Sequence, residues 1–140
     1  MATYNKFQQF VEDLAEKVHN LGVDALTVAL TPAASAPVVT NSILSNLTEI
    51  AYTNLSARLI SITSSLQTTG TYKLTLTDLV LTASGGSVAA FRYICIYNDT
   101  PAAPLNPLIG FYDFGSDLTL ADGETLTIDF DATNGFITIV

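Results

Sequence analysis

Tryptophan is absent from this 140-residue chain, histidine and cysteine occur once each, and lysine and arginine together number only five. Each shortage removes a class of function. Cys95 has no partner for an internal disulfide, and its setting in FRYICIYN reads as a buried strand residue in a protein suited to a reducing compartment. A transition-metal site needs clustered His or Cys, which the sequence lacks. A Ser-His-Asp or Cys-His device would rest on His19 and Cys95 as isolated single copies, and His19 reads as an exposed helix-end residue favoured by the macrodipole. Five scattered cations cannot neutralise a phosphate backbone, which excludes nucleic acid and anionic membrane surfaces as partners. Neither GxxxxGK[ST] nor GxGxxG occurs, and Gly85-Gly86 reads as a turn with no helix behind it. The N-terminal region has no continuous apolar run and carries Lys6, Glu12, Asp13 and Glu16, which predicts neither a signal peptide nor a membrane span. The sequons at Asn46, Asn54 and Asn98 are accordingly expected to stay unmodified.

Apolar residues make up 49% of the chain, enough to offset the ordering entropy of one domain, and 140 residues leave no room for two comfortable ones. Nineteen threonines point to strands. Charged residues are only 13%, about half the usual share, which suggests a surface partly covered by a partner. The charge is uneven. Residues 1–70 hold five acids and three bases, whereas residues 71–140 hold eight acids and two bases, giving the net −8.

Residues 5–21 place Phe7, Phe10, Val11, Leu14, Val18 and Leu21 on one helical stripe. This predicts an amphipathic helix within residues 1–22, capped by Asn5 or Thr3, with Asp13 and Lys17 paired and Gly22 ending it. In DALTVALT, Leu26, Val28 and Leu30 alternate with Thr27, Ala29 and Thr31, a half-buried strand stopped by Pro32. TPAASAPVVTNS reads as a loop, and ILSNLTEIAY is ambiguous between a short helix and an irregular connection. Seven strand-sized runs follow: ARLISITSSL, TYKLTLT, LVLTA, VAAFRYICIYN, LIGFYDF, TLTIDFD and FITIV. Turn residues punctuate them, among them Thr69-Gly70, Asp122-Gly123 and Asn134-Gly135. The fold expected is mainly β: residues 23–140 as one antiparallel β-sandwich of jelly-roll or Greek-key type, preceded by the N-terminal helix.

The stretch DFDATNG comes close to a calcium loop. Counted from Asp129, however, the glycine arrives one position late and position twelve is Val140 where a glutamate is needed. The strand reading explains the same letters: Leu126, Ile128 and Phe130 face one way, Asp129 and Asp131 face solvent, and Asn134-Gly135 turns a hairpin into FITIV. Asp129 and Asp131 therefore remain only a weak calcium candidate. Carboxylate pairs of glycosidase type among Asp99, Asp113 and Asp117 are no more than accidents of an acidic half. No catalytic residue, cofactor or small-molecule substrate is expected.

Two features point to a partner. The apolar face of the helix must be buried somewhere, and FITIV carries neither charge nor proline to blunt it as an edge. Phe7, Phe10, Leu14, Phe136 and Ile139 are therefore the candidate partner-binding residues.

The run of ATYNKFQQFVEDLAEKVHNLG, LTVALT, TYKLTLTDLVLTASGGSVAAFRYICIYNDT, LIGFYDFGS and LTLADGETLTIDFDATNG resembles the capsid cement, or decoration, proteins of short-tailed bacteriophages of the Bordetella-phage type. The similarity covers most of the chain and is weakest from Pro32 to Leu66. It implies a jelly-roll homodimer on the outside of an icosahedral head, assembled in the host cytoplasm, which bridges neighbouring major capsid proteins without enzyme activity. Few disulfide-forming residues and an acidic balance that would repel packaged DNA agree with that location. The alternative is a β-sandwich glycan-binding module of a tail or fibre, with FYDFG and YNDTPAAPLNP as loops and Phe111, Tyr112 and Tyr97 as stacking residues.

Overall fold

A computed structural model describes residues 2–140. The chain is mainly β and its sheets are antiparallel. Among the described residues ten strands occur: β1 (Thr3–Lys6), β2 (Leu26–Thr31), β3 (Leu59–Ile60), β4 (Ile62–Thr68), β5 (Thr71–Leu76), β6 (Leu79–Thr82), β7 (Phe91–Asn98), β8 (Leu108–Leu118), β9 (Thr125–Ile128) and β10 (Ile137–Ile139). They form a five-stranded sheet ordered β1-β8-β7-β2-β3, a three-stranded sheet β10-β5-β4 and a two-stranded sheet β6-β9.

Strand alternation explains how these sheets share a core. Leu26, Val28 and Leu30 of β2 lie beside Ile94 and Ile96 of β7, and all five pack with Leu74 and Leu76 of β5, Leu81 of β6 and Ile128 of β9. The main core thus lies between the large sheet and the two small ones. On the other face of the large sheet, Ala29, Tyr93, Cys95, Phe111 and Phe7 form a second buried cluster against Leu44 and Leu47 of the segment 32–58. Both faces of β2 are therefore covered, and all six of its residues are buried. This corrects the half-buried strand expected: Thr27 and Thr31 face that second cluster, not solvent. Cys95 is buried as expected, and burial pushes its thiol up to about 12.

The N-terminal helix is much shorter than its periodicity predicts. It runs from Gln9 to Ala15 as α1, while Thr3–Lys6 pairs with β8 as an edge strand. Neither Asn5 nor Thr3 caps it. Its end is not at Gly22 but at Lys17, which takes the left-handed conformation at φ 69°. Glu16 N–H donates to Glu12 C=O and Val18 N–H donates to Asp13 C=O, so the last carbonyls are satisfied by a Schellman turn with lysine in glycine's usual place. The i, i+3, i+4 pattern continues beyond that point because Leu21 reaches the same core from an irregular segment.

His19 also departs from the exposed position expected of it. It is 6% exposed, its ring lies 5.2 Å from that of Phe10, and its Nδ1 accepts from the Asn98 amide at 3.1 Å. Asn98 is fully buried and donates to Asp24 too, so its sequon sits inside the protein. Burial lowers the His19 pKa, against the smaller opposing pull of Asp13 and Asp24.

The predicted β9–β10 hairpin does not form. β9 pairs with β6, and β10 pairs with β5 in another sheet. The Asn134-Gly135 step carries the chain across from one sheet to the other, with Gly135 at φ 87° and its N–H donating to Asp131 C=O. The true tight hairpin joins β4 to β5 through Thr69-Gly70, both at positive φ.

Candidate functional site

The crossing from β9 to β10 leaves a cleft of about 720 Å³ beside the β1–β8 edge of the large sheet. Register builds its first wall. Tyr4 of β1 stands directly across from Tyr112 of β8, so both rings leave the same face, with centroids 5.1 Å apart and planes tilted by 55°. Gly110, two residues from Tyr112, lies under the Tyr4 ring; a Cβ at that position would collide with the phenol. Glycine is therefore required there by contact rather than by backbone angle.

The second wall comes from the β9–β10 crossing. Phe136 meets Tyr4 edge-on at 5.7 Å and Phe130 at the same distance, tying the cleft to the main core. Phe114, which is 41% exposed, flanks the opening. Polar groups line the rim: Thr127, Asp129, Asp131 and Thr133.

The two aspartates hold the crossing in shape. Asp129 Oδ1 accepts the Asp131 N–H at 2.9 Å. Asp131 sits at φ 47° and accepts from the N–H groups of Thr133 and Asn134 and from the Asn134 amide, which together hold its carboxyl below the usual range. Lys73 donates to Thr133 C=O from the neighbouring sheet. Among the described residues no group of three His, Cys, Asp or Glu side chains is placed to hold a metal ion. Asp129 and Asp131 are a turn device, and the hairpin once expected of them is replaced by this stapled crossing. Tyr112 feels both: burial, and then the neighbouring charges of Asp129 and Asp131, push its hydroxyl up to about 12.

The candidate partner-binding residues scatter. Phe7 and Phe10 are buried in the chain's own two cores and offer no surface to a partner. Phe136 is half-buried in the cleft wall. Leu14 and Ile139 come together in a second, shallower groove of about 440 Å³ between α1 and the three-stranded sheet, beside Tyr72 and Lys17. The candidate stacking residues fare similarly: Tyr97 and Phe111 are buried, and FYDFG is part of β8 rather than a loop. Only Tyr112 reaches the cleft. Tyr4 was missed because the helical pattern beginning at Phe7 masks the Thr-Tyr pair ahead of it, whose β-branched and aromatic character was the available signal.

Comparison with family models, with curated proteins and with solved structures finds no match to this chain.

Proposed function

We propose that the chain is a virion structural protein: a capsid cement subunit of jelly-roll type that binds the outside of a phage head as a homodimer and bridges major capsid proteins. The observation that carries this reading is the three-stranded sheet. Among the described residues no strand lies beyond β10 or β4, so both edges are open. Neither strand contains a charge or a proline; β4 has a bulge at its start, between Ile62 and Ser64, but its remainder and β10 pair regularly, and their exposed side chains include Leu66 at 59% and Ile139 at 43%. Native edges of monomers are blunted by lysine, proline or bulges, whereas edges meant for addition of another strand are left bare. The resemblance to cement proteins gives the partner its chemistry: a shell subunit, contacted many times over, so that modest contacts at each copy add through multivalency.

The test is sedimentation of the purified protein alone and with empty phage heads that lack it. A dimer that co-sediments with the heads and raises their resistance to heat is the expected result. A monomer that ignores the heads overturns the reading.

A further inference from the structure

We infer that the cleft between Tyr4, Tyr112 and Phe136 is a binding site for a neutral saccharide, of one or two pyranose rings. The argument is independent of the cement reading and starts from the lining chemistry. A cleft of about 720 Å³ is within the range of small-ligand sites, roughly 300–1,000 Å³. Its walls are aromatic, and the exposed part of the Tyr4 ring and the Phe114 ring present apolar faces that suit the C–H faces of a sugar.

The polar groups decide which ligand. Among the described residues no lysine or arginine lines the cleft, so none of them would neutralise a phosphate, a sulfate or an acidic sugar. A cation is the next possibility, given two carboxylates. Yet Asp131 has both oxygens committed to the turn, and Asp129 has one committed, so one carboxylate oxygen remains for a ligand. The cleft also presents the hydroxyls of Tyr112, Thr127 and Thr133, none with a hydrogen-bond partner among the described residues. One free carboxylate oxygen among several uncommitted hydroxyls, beside aromatic faces, matches a ligand rich in hydroxyls and without charge. The site is also built to keep its shape: β1–β8 pairing sets one wall and the Asp131 turn with Lys73 sets the other, so little ordering is left for the ligand to impose.

The experiment is titration of the intact protein, followed by amide-resolved NMR, with methyl glucoside, methyl galactoside, N-acetylglucosamine, maltose and lactose. N-acetylneuraminic acid and choline serve as anionic and cationic controls. At least one neutral sugar is expected to shift the amides of β1, the Tyr112 region and residues 127–136 saturably, with millimolar affinity. Tyr112→Ala should weaken that binding about tenfold, and Asp129→Asn severalfold. Because Tyr112 also packs on the core, Phe114→Ala, at an exposed ring, provides the same test with the fold intact. No shift with any neutral sugar up to about 50 mM, or saturation by choline alone, overturns the assignment. Sugar binding that survives both Tyr112→Ala and Phe114→Ala overturns it equally.

Discussion

The outer edge of β2 and the edges of the three-stranded sheet pose the same problem and receive opposite treatment. Beyond Leu26 and Thr27, which pair with β3, β2 has no strand beside it. Its backbone is nevertheless satisfied. Tyr52 Oη accepts from the Leu30 N–H at 2.9 Å, the Ile50 N–H donates to Leu30 C=O, the Arg58 C=O accepts from the Val28 N–H, and the Arg58 guanidinium donates to Val28 C=O. Arg58 also lies 3.7 Å over the Tyr52 ring and 3.8 Å from Glu49, so the seal is braced by its own contacts. β4 and β10 have no such cover among the described residues. A chain that can seal one edge with four specific bonds and leaves two others bare has separated an edge that must stay closed from edges free to pair.

Removing the seal is expected to give the largest effect. Tyr52→Phe leaves the Leu30 N–H without a partner at a residue that is fully buried. Arg58→Met does the same to Val28 C=O. Each is expected to cost about 1–3 kcal/mol, and because both act on one short edge their effects should not simply add. Urea denaturation of the two single variants and the double variant measures this. A double variant as stable as the parent would mean that β2 is not closed by these side chains, and the contrast with β10 would disappear.

β1 is also an edge strand, and it is held to β8 across the face of the sheet by the Tyr4 ring lying on Gly110. Gly110→Ala forces that ring away and is expected to destabilise by about 1–3 kcal/mol, the usual range for overpacking, with near-ultraviolet dichroism reporting the displaced tyrosine. If Gly110→Ala is silent in both signals, the β1 wall of the cleft is looser than its packing implies.

His19→Gln separates edge effects from clamping at the end of β7. Burial favours neutral His19 in the folded state, so its folded pKa lies below the unfolded value of about 6.5. Its contribution is present above that value and is lost as pH falls below it. The lowered carboxyls of Asp113, held by Arg92, and of Asp131 act in the same direction, but in the acid range below the ordinary carboxylate value. Stability of the parent should therefore begin to fall below about pH 6.5, whereas His19→Gln should stay flat until the carboxylates protonate. A parent curve that is flat between about pH 6.5 and 5 would show that Asp13 and Asp24 offset the burial of the ring.

The contrast between edges also explains what was legible in the sequence. Strands β5 to β9 were readable because period-two alternation and turn residues act locally. The seal on β2 was not, because Tyr52 and Arg58 act from a segment with no period, and nothing in ILSNLTEIAY announces that its tyrosine completes a distant strand. The DFDATNG stretch was wrongly read as the end of a strand and a hairpin turn, since the pairing of β9 with β6 and of β10 with β5 depends on partners 47 residues away for Thr127 with Val80 and 67 residues away for Ile139 with Tyr72. The helix was overextended for a related reason: Thr3–Lys6 gains a partner in β8 that local periodicity does not contain. Of the cleft, Tyr112, Phe136, Asp129 and Asp131 were singled out, but under separate readings, because the site is assembled from β1, β8 and the β9–β10 crossing.

Lys17 offers a smaller, stabilising change. A lysine held at φ 69° bears a cost that glycine avoids, so Lys17→Gly is expected to raise stability by about 0.5–1 kcal/mol in thermal or urea denaturation. A loss of stability would mean that the Lys17 stem packs in the groove beside Leu14 strongly enough to outweigh the backbone relief.

The smallest effect on stability belongs to the open edge, and that is where the comparison is sharpest. Leu66 of β4 is 59% exposed and stands opposite Lys73, so Leu66→Glu removes almost no buried contact and sets its carboxylate beside the lysine. Its folding free energy should change by no more than about 0.5 kcal/mol. It does, however, place a charge on a strand that carries none, the device by which natural edges are kept from pairing. If that edge is used for self-association or for attachment to a shell, sedimentation should show the assembly weakened or lost while the melting curve stays unchanged. Tyr52→Phe should show the reverse: lower stability with association intact in whatever fraction remains folded. One variant that alters assembly without stability, set against one that alters stability without assembly, separates an edge that maintains the fold from an edge that serves a partner.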